Sequence, residues 1–230
     1  LSDYLIYDKI KKQLMHIIWH GQSYFQIIAA RNKGEQVTIA IDPFDEATGL
    51  KVPSFSADIL LITHQHHDHN NKKAIRGNPF LIEGPGEYEV KDVFIHGIEA
   101  FHDDAQGKQR GQNTIYIVEA EGMRICHLGD FGQKELTTEQ LEQVGDVDIL
   151  MTPVGGVYTI NSKGSAKIIS QIEPAIVIPM HYHLPKLKIK LEPVDRFLKE
   201  MGRKTITPEP KLLIKKKDLP TETKVVVLKP

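Results

Sequence analysis

The pattern of apolar and polar positions divides the chain into two textures. Up to about residue 127, short runs rich in β-branched and aromatic residues recur between Gly-containing or polar turns. HIIW (16–19), SYFQII (23–28) and VTIAI (37–41) are the first of them, and each predicts a strand. DILLIT (58–63) is a continuous apolar run, as expected of a strand buried on both faces. Further strands are predicted at 80–82, 87–90, 93–96, 114–119 and 123–127. Beyond that point helices and strands alternate. KELTTEQLEQVG (134–145) predicts a helix stopped by Gly145, and VDILMTP (147–153) a strand. A helix at 165–172, a strand in AIVIPMH (175–181), a helix at 193–201 and a last strand at 223–228 follow. A strand-dense half followed by alternation suggests sheets packed together with helices outside, an α/β or α+β layered domain.

Length and composition narrow this picture. The 230 residues are 40% hydrophobic and 26% charged, enough to bury one substantial core and close to the globular average. No linker, repeat or low-complexity tract interrupts the pattern, so 15–230 reads as one domain. Residues 1–14, LSDYLIYDKIKKQL, are set apart as a lead-in before Met15. No apolar run approaches the roughly 18–20 residues of a membrane span, and no signal-peptide pattern opens the chain. The single cysteine, Cys126, precludes an intramolecular disulfide and suits a reducing compartment. The expectation is a cytoplasmic protein without a membrane partner. The net charge of −1 conceals an asymmetry. Residues 186–230 carry 13 Lys/Arg against 6 Asp/Glu, and 1–185 carry 16 against 24. A basic quarter of this kind could face phosphate, although a solvated face is the plainer reading.

The candidate chemistry is concentrated in THQHHDHNN, 63–71, with four histidines and one aspartate between His64 and His69. Imidazole and carboxylate are ligands for Zn²⁺, Fe²⁺ or Mn²⁺. On extended backbone alternate residues share a side, so His64 and His66 could hold one ion, while Asp68 and His69 follow a turn toward a second. The preceding DILLI ties the cluster to the core, unlike a surface histidine tract. One loop cannot enclose two metals, and three later positions qualify as partners. His102 in AFHDDAQG, Asp130 in ICHLGDFG and His181 in VIPMHYH all sit where an apolar run ends, and such exits build sites.

This ordered set, H-x-H-x-D-H, a distant His, Gly-Asp and a final His, resembles the metallo-β-lactamase superfamily. The likeness runs from about Met15 to His183 and includes IIWHGQSYFQI…IAIDPF ahead of the histidines. Within the superfamily, EGPGEYEV (83–90), CHLGDFG (126–132) and PVGGVYTI (153–160) resemble the small Zn-dependent hydrolases related to L-ascorbate-6-phosphate lactonases. The resemblance implies an αββα sandwich with the site at one edge of the paired sheets. It places His64, His66 and His102 on one metal, Asp68, His69 and His181 on another, and Asp130 between them. Asp42 matches the acidic residue that supports the metal loop. One departure is Gln22, where many relatives have His. The implied cofactor is two divalent ions, Zn²⁺ ahead of Mn²⁺ or Fe²⁺. Two such cations lower the pKa of a shared water from about 15.7 toward neutrality, and Asp68 could orient that water or take its proton. The expected reaction is hydrolysis of an ester, lactone or phosphoester of a small anionic substrate.

Other residues carry weaker expectations. His183 could act as a proton donor, His67 is left to solvent, and His127, His16, His20 and His96 are read as structural. Arg110 and Asn113 in RGQN could grip an anionic group, with a solvated surface arginine as the alternative. Gly155, Gly156, Tyr158 and Thr159 could form a loop over the site, and Gly156 and Tyr158 are carried as substrate-binding candidates. Cys126 reads as a buried strand residue. A nuclease using KLKIK (186–190) and KKK (215–217) on RNA or single-stranded DNA, and a non-catalytic metal-stabilised binding domain, are the rival functions. A homo-oligomer is compatible with the sequence.

Overall fold

The computed structural model describes residues 14–31 and 34–230, so all but the last residue of the set-apart lead-in lies outside the described residues. The first strands are β1 (Met15–Trp19), β2 (Phe25–Ala30), β3 (Gln36–Ile41), β4 (Phe55–Ser56), β5 (Ile59–Leu61), β6 (Ile75–Arg76) and β7 (Phe80–Ile82). Then come β8 (Gly86–Val90), β9 (Val93–Phe101), β10 (Gln112–Ala120) and β11 (Met123–His127). Helix α1 (Thr138–Val144), β12 (Ile149–Pro153), α2 (Ser162–Ile172), β13 (Ile176–Met180) and α3 (Val194–Glu200) alternate, before β14 (Leu212–Ile214) and β15 (Lys224–Val225). They build a six-stranded sheet, β14-β1-β2-β3-β5-β7, and a seven-stranded sheet, β15-β13-β12-β11-β10-β9-β8, with β4 and β6 as a separate pair.

The two large sheets face each other across one core. In β1 and β2 alternate residues are buried, Met15, Ile17 and Trp19, then Phe25, Ile27 and Ala29, because successive side chains point to opposite faces. They share an apolar cluster with Ile115, Ile117, Ile125 and Ile149 of the other sheet. Strands β12 and β13 are buried at every position, as parallel strands covered on both faces must be. The cover is helical. Among the described residues all three α-helices belong to this side: α1 contacts β9, while α2 contacts β12 and α3. The Ser165 and Thr152 hydroxyls, 2.9 Å apart, join α2 to β12. The far side of the six-stranded sheet carries its own apolar cluster, Tyr24, Ala40, Phe44, Leu60, Ile62 and Ile75. Val52, Phe55 and Ala57 from the segment around β4 pack on that cluster. This is the α+β architecture of paired mixed sheets that the pattern predicted.

Element boundaries shift for local reasons. Helix α1 starts later than residue 134 because Thr137 forms a capping box with Gln140. Helix α2 starts earlier than 165 because the Asn161 side chain accepts the Gly164 N–H. Strand β9 continues beyond Gly97 to Phe101, where pairing with β10 holds it. The last predicted strand is a ladder only at Lys224 and Val225, and β14, which has only three residues, was not foreseen.

The sheets are stitched together at one end. The Thr114 N–H donates to the Thr63 carbonyl at 2.9 Å. Next to it, the buried Tyr116 hydroxyl lies 3.0 Å from the Ile62 carbonyl and accepts the Gly84 N–H at 2.9 Å. These bonds fix the exit of β5 against β10, directly beneath the histidine loop. Tyr116→Phe strands a buried carbonyl and an N–H together, so about 1–3 kcal/mol of stability should be lost. Urea unfolding should show a lower midpoint at unchanged slope, and an unchanged midpoint would dismiss this stitch.

Candidate metal centre

Four chain exits converge on one edge of the sandwich. The loop after β5 supplies His64, His66, Asp68 and His69, and the end of β9 supplies His102. The turn after β11 supplies Asp130, and the end of β13 supplies His181. The structure brings them together as two groups, His64/His66/His102 and Asp68/His69/Asp130/His181, with ligating atoms in each group within 4.8 Å of one another. Apart from His66, every one of them is buried.

The distances and the unsatisfied atoms fit a bound cation. His64 Nε2, His69 Nε2, His102 Nδ1 and both ring nitrogens of His181 are buried without a hydrogen-bond partner, which is costly for a polar atom left dry. His69 Nε2 stands 3.3 Å from Asp130 Oδ1, and His102 Nε2 and His181 Nε2 stand 3.3 and 3.4 Å from Asp130 Oδ2. Two ligands each roughly 2.0–2.1 Å from a tetrahedral ion lie roughly 3.3–3.4 Å apart. The Asp130 carboxylate therefore has ligand-to-ligand spacing to His102 of one group and to His69 and His181 of its own. Asp68 Oδ2 is 3.7 Å from His69 Nε2 and 3.9 Å from His181 Nε2.

A layer behind these atoms aims them. The buried Asp42 carboxylate accepts the Thr63 N–H at 2.8 Å and the Thr63 hydroxyl at 2.6 Å, and lies 2.8 Å from His69 Nδ1. Since the Thr63 proton goes to Asp42, the 3.0 Å contact between Thr63 Oγ1 and His64 Nδ1 has the imidazole as donor. The network thus assigns the Nδ1–H tautomer to His64, with the Nε2 lone pair turned to the site; Asp42 orients His69 likewise. Asn113 holds the Gly-Asp turn, accepting the Asp130 N–H at 3.0 Å and donating to the Leu128 carbonyl at 2.8 Å. A Cβ on Gly129, at φ +57°, would fall 2.3 Å from Asn113 Oδ1, so glycine is required in that turn. His127 accepts the Gly129 N–H at Nδ1 and meets the Ser23 carbonyl through Nε2 at 2.9 Å.

Electrostatics follow from the packing. Burial, reinforced by the neighbouring His69, lowers the His64 pKa to about 2, so protons do not compete for its lone pair. Burial would also lower His69, but the carboxylates of Asp130, Asp68 and Asp42 hold it well above the usual imidazole value. A cation at Nε2 would satisfy that preference for positive charge in place of the proton. Burial opposes ionisation of Asp130, yet His181 and His69 keep its carboxyl well below the usual range. Asp68 behaves alike, with His69 and His181 outweighing its burial. Both carboxylates are ionised at neutral pH and available to a cation.

The ligand groups open into a cavity of about 370 Å³ walled also by His67, Gln109, Arg110, Tyr158 and Ile189. Of the substrate-binding candidates, Arg110 and Tyr158 line it, with the guanidinium 5.5 Å from the Tyr158 ring centre. Asn113 does not: it is buried behind the Asp130 turn. Gly156 lies outside the wall, in a turn whose N–H donates to the Ile160 carbonyl. His183, the suggested proton donor, is exposed and outside the wall, because the chain turns away after His181. His67, left to solvent by the sequence, is exposed and forms part of the rim. Gln22 is buried and donates to Asp68 Oδ2 at 3.4 Å, and the Ser23 hydroxyl donates to Asp130 Oδ1 at 3.4 Å. Ser23, Thr63, Gln109 and Ile189 carry no ligand-like pattern in the sequence, so nothing there pointed to them.

Comparison with known proteins places the chain in a family. A family profile for a beta-lactamase superfamily domain matches residues 16–181. A UPF0173 metal-dependent hydrolase of Thermococcus onnurineus is 30% identical over 193 residues, 71% of this chain and 82% of the relative. A second, from Thermoplasma volcanium, is 29% identical over 198 residues, 73% of this chain and 83% of the relative. Among solved structures, one from Thermotoga maritima, assigned as a candidate Zn-dependent hydrolase of the metallo-beta-lactamase superfamily, aligns with a TM-score of 0.72 at 36% identity. It covers 93% of this chain and 98% of its own. The chain belongs to the beta-lactamase superfamily and is a metal-dependent hydrolase of the metallo-β-lactamase fold. No helix among the described residues is long and apolar enough to cross a membrane.

Removing the support behind the ligands should be felt at the metal. Asp42→Asn should lower zinc affinity by about 10–100-fold, measured by competition with a chromophoric chelator. Wild-type affinity in the variant would show that Asp42 does not aim His69 and Thr63.

Proposed function

We propose that the chain is a dinuclear hydrolase that cleaves an ester, lactone or phosphoester of a small anionic substrate. The observation that carries this reading is the position of Asp130, at ligand spacing from His102 of one histidine group and from His69 and His181 of the other. His64, His66 and His102 would hold one ion, Asp68, His69 and His181 the second, and Asp130 both. The zinc named for the Thermotoga maritima neighbour and the histidine-rich donor set favour Zn²⁺. Bound divalent ions supply Lewis acidity, which activates water at neutral pH and polarises a scissile carbonyl or phosphoryl group.

The side chains divide the remaining work. Asp68 lines the cavity as an ionised carboxylate, anchored by the Gln22 amide, and is suited to orient water by accepting a hydrogen bond from it. Arg110 has no carboxylate partner among the described residues; its guanidinium donates to the Tyr158 and Val157 carbonyls at 3.3 and 3.2 Å. A positive charge without a counter-ion at the cavity wall favours an acidic group on the substrate. Ile189 lines the same wall, and the exposed Lys188 and Lys190 flank it, adding positive potential at the rim. The same lysines support the second reading, in which the acidic group belongs to a nucleic-acid backbone.

Protein purified without chelator should contain two metal ions per chain by elemental analysis. Metal removal should lower the melting temperature, since ions bound only by the folded state stabilise it. A well-folded sample without metal would defeat the mechanism. A panel of lactones, phosphodiesters and RNA, assayed with each metal in turn, decides the substrate class. Cleavage of RNA that falls steeply with salt selects the nucleic-acid reading. On the best substrate Asp68→Ala should abolish turnover while the fold persists, and retained turnover removes Asp68 from the chemistry. Arg110→Ala should raise KM about tenfold or more while kcat changes little, as expected for loss of a charge-assisted contact.

A further inference from the structure

His102 and Arg110 lie at opposite ends of a segment that contains neither helix nor strand, and one side chain organises everything between them. Asp103 is 3% exposed. Its Oδ1 accepts the N–H groups of Ala105 at 2.8 Å and Gly107 at 3.0 Å. Its Oδ2 accepts those of Gln109 at 3.0 Å and Arg110 at 2.7 Å. Among the described residues it has no cationic partner and belongs to neither ligand group. A buried carboxylate without a counter-charge is costly unless its lone pairs are filled by donors, and here four backbone donors fill them.

Both ends of the segment are fixed as well. The His102 N–H donates to the Gly111 carbonyl at 3.1 Å and Gly111 N–H to Gly107 at 2.9 Å, closing the loop at its base. On the opposite side Gly132 packs against the His102 backbone so closely that an added Cβ would lie 2.3 Å from its carbonyl atoms. The Arg110 guanidinium is engaged by the carbonyls of Val157 and Tyr158. It stands in the wall shared by the site cavity and a second one, lined by Thr63, His66, Glu83 and Thr114. A loop of this length without regular hydrogen bonding would otherwise sample many conformations, and fixing each residue costs backbone entropy.

We propose that Asp103 is a positioning residue that sets the metal ligand His102 and the substrate-facing Arg110 as one unit. The inference rests on the dinuclear reading above. Metal loading at the first group and anion recognition at Arg110 are then coupled through a carboxylate that touches neither metal nor substrate.

Asp103→Asn tests this, since an amide preserves size but turns an NH2 group toward donors that need an acceptor. Native mass spectrometry at limiting free zinc should show two ions on the wild type and mainly one on the variant. The weakened site should lose about 10–100-fold in affinity, the range for residues that support ligands. KM should rise, and the effects of Asp103→Asn and Arg110→Ala on KM should be strongly non-additive, because removing the guanidinium leaves nothing for Asp103 to position. Unchanged zinc loading together with additive KM effects overturns the proposal. Should the variant fail to fold, amide exchange on the wild type decides: zinc should increase protection at Ala105, Gly107, Gln109 and Arg110, and unchanged protection overturns it. Failure of the dinuclear reading is seen separately, as fewer than two ions on the wild type in the same spectra.

Discussion

The buried Asp42 carboxylate is the contact on which the rest of the site depends. It satisfies the Thr63 backbone and hydroxyl and faces the imidazole of His69; Thr63 in turn directs His64. One negative group therefore sets the orientation of an imidazole in each of the two ligand groups. Asp42 has a left-handed backbone at φ 52°, as do Gln22 at φ 50° and His181 at φ 50°. Such conformations are unfavourable for residues other than glycine and persist when surrounding structure over-determines them. Asp42 N–H bonds to Leu61 and His181 N–H to Gln22, so the strained residues are braced by the sheets and by each other.

The location of the site follows from how the two sheets meet. Ligands come from strand exits in both sheets, and their separation is governed by sheet packing rather than by any one loop. The Thr114–Thr63 and Tyr116–Ile62 contacts tie the β5 exit to β10 immediately below the histidines. The His102 and Asp130 exits belong to strands flanking β10 in the same sheet. The rigid part of the molecule thus ends where the chemistry begins, as preorganised ligands require.

Much of the fold was legible because its signals are local. The β-branched and aromatic runs HIIW and SYFQII mark strands wherever they occur, and the continuous apolar run DILLIT marks one buried on both faces. The capping residues Thr137 and Asn161 were legible in principle and would have corrected the helix starts. The three-residue β14 was not, because so short a run gains strand character only by pairing with β1. In the site, the seven ligand candidates stand out by residue type at strand exits. Asn113 was misjudged because an amide near a loop reads as a substrate contact. Only its partners, Asp130 and Leu128, reveal that it holds a turn. His183 was misjudged because distance along the chain says nothing of which way the backbone leaves His181.

The sequence by itself determined the strand-dense order of elements, the ligand types and the support expected from Asp42. The first two are written in composition and short-range spacing, the third in the likeness to the metallo-β-lactamase superfamily. Tertiary structure alone decided that Arg110 lines the cavity while Asn113 does not. It also decided that Asp103, an unremarked acid in the sequence, gathers four backbone donors. The first depends on where separate strand exits arrive in space, which is set by the packing of two sheets across a common core. The second depends on the backbone path of the loop between His102 and Gly111.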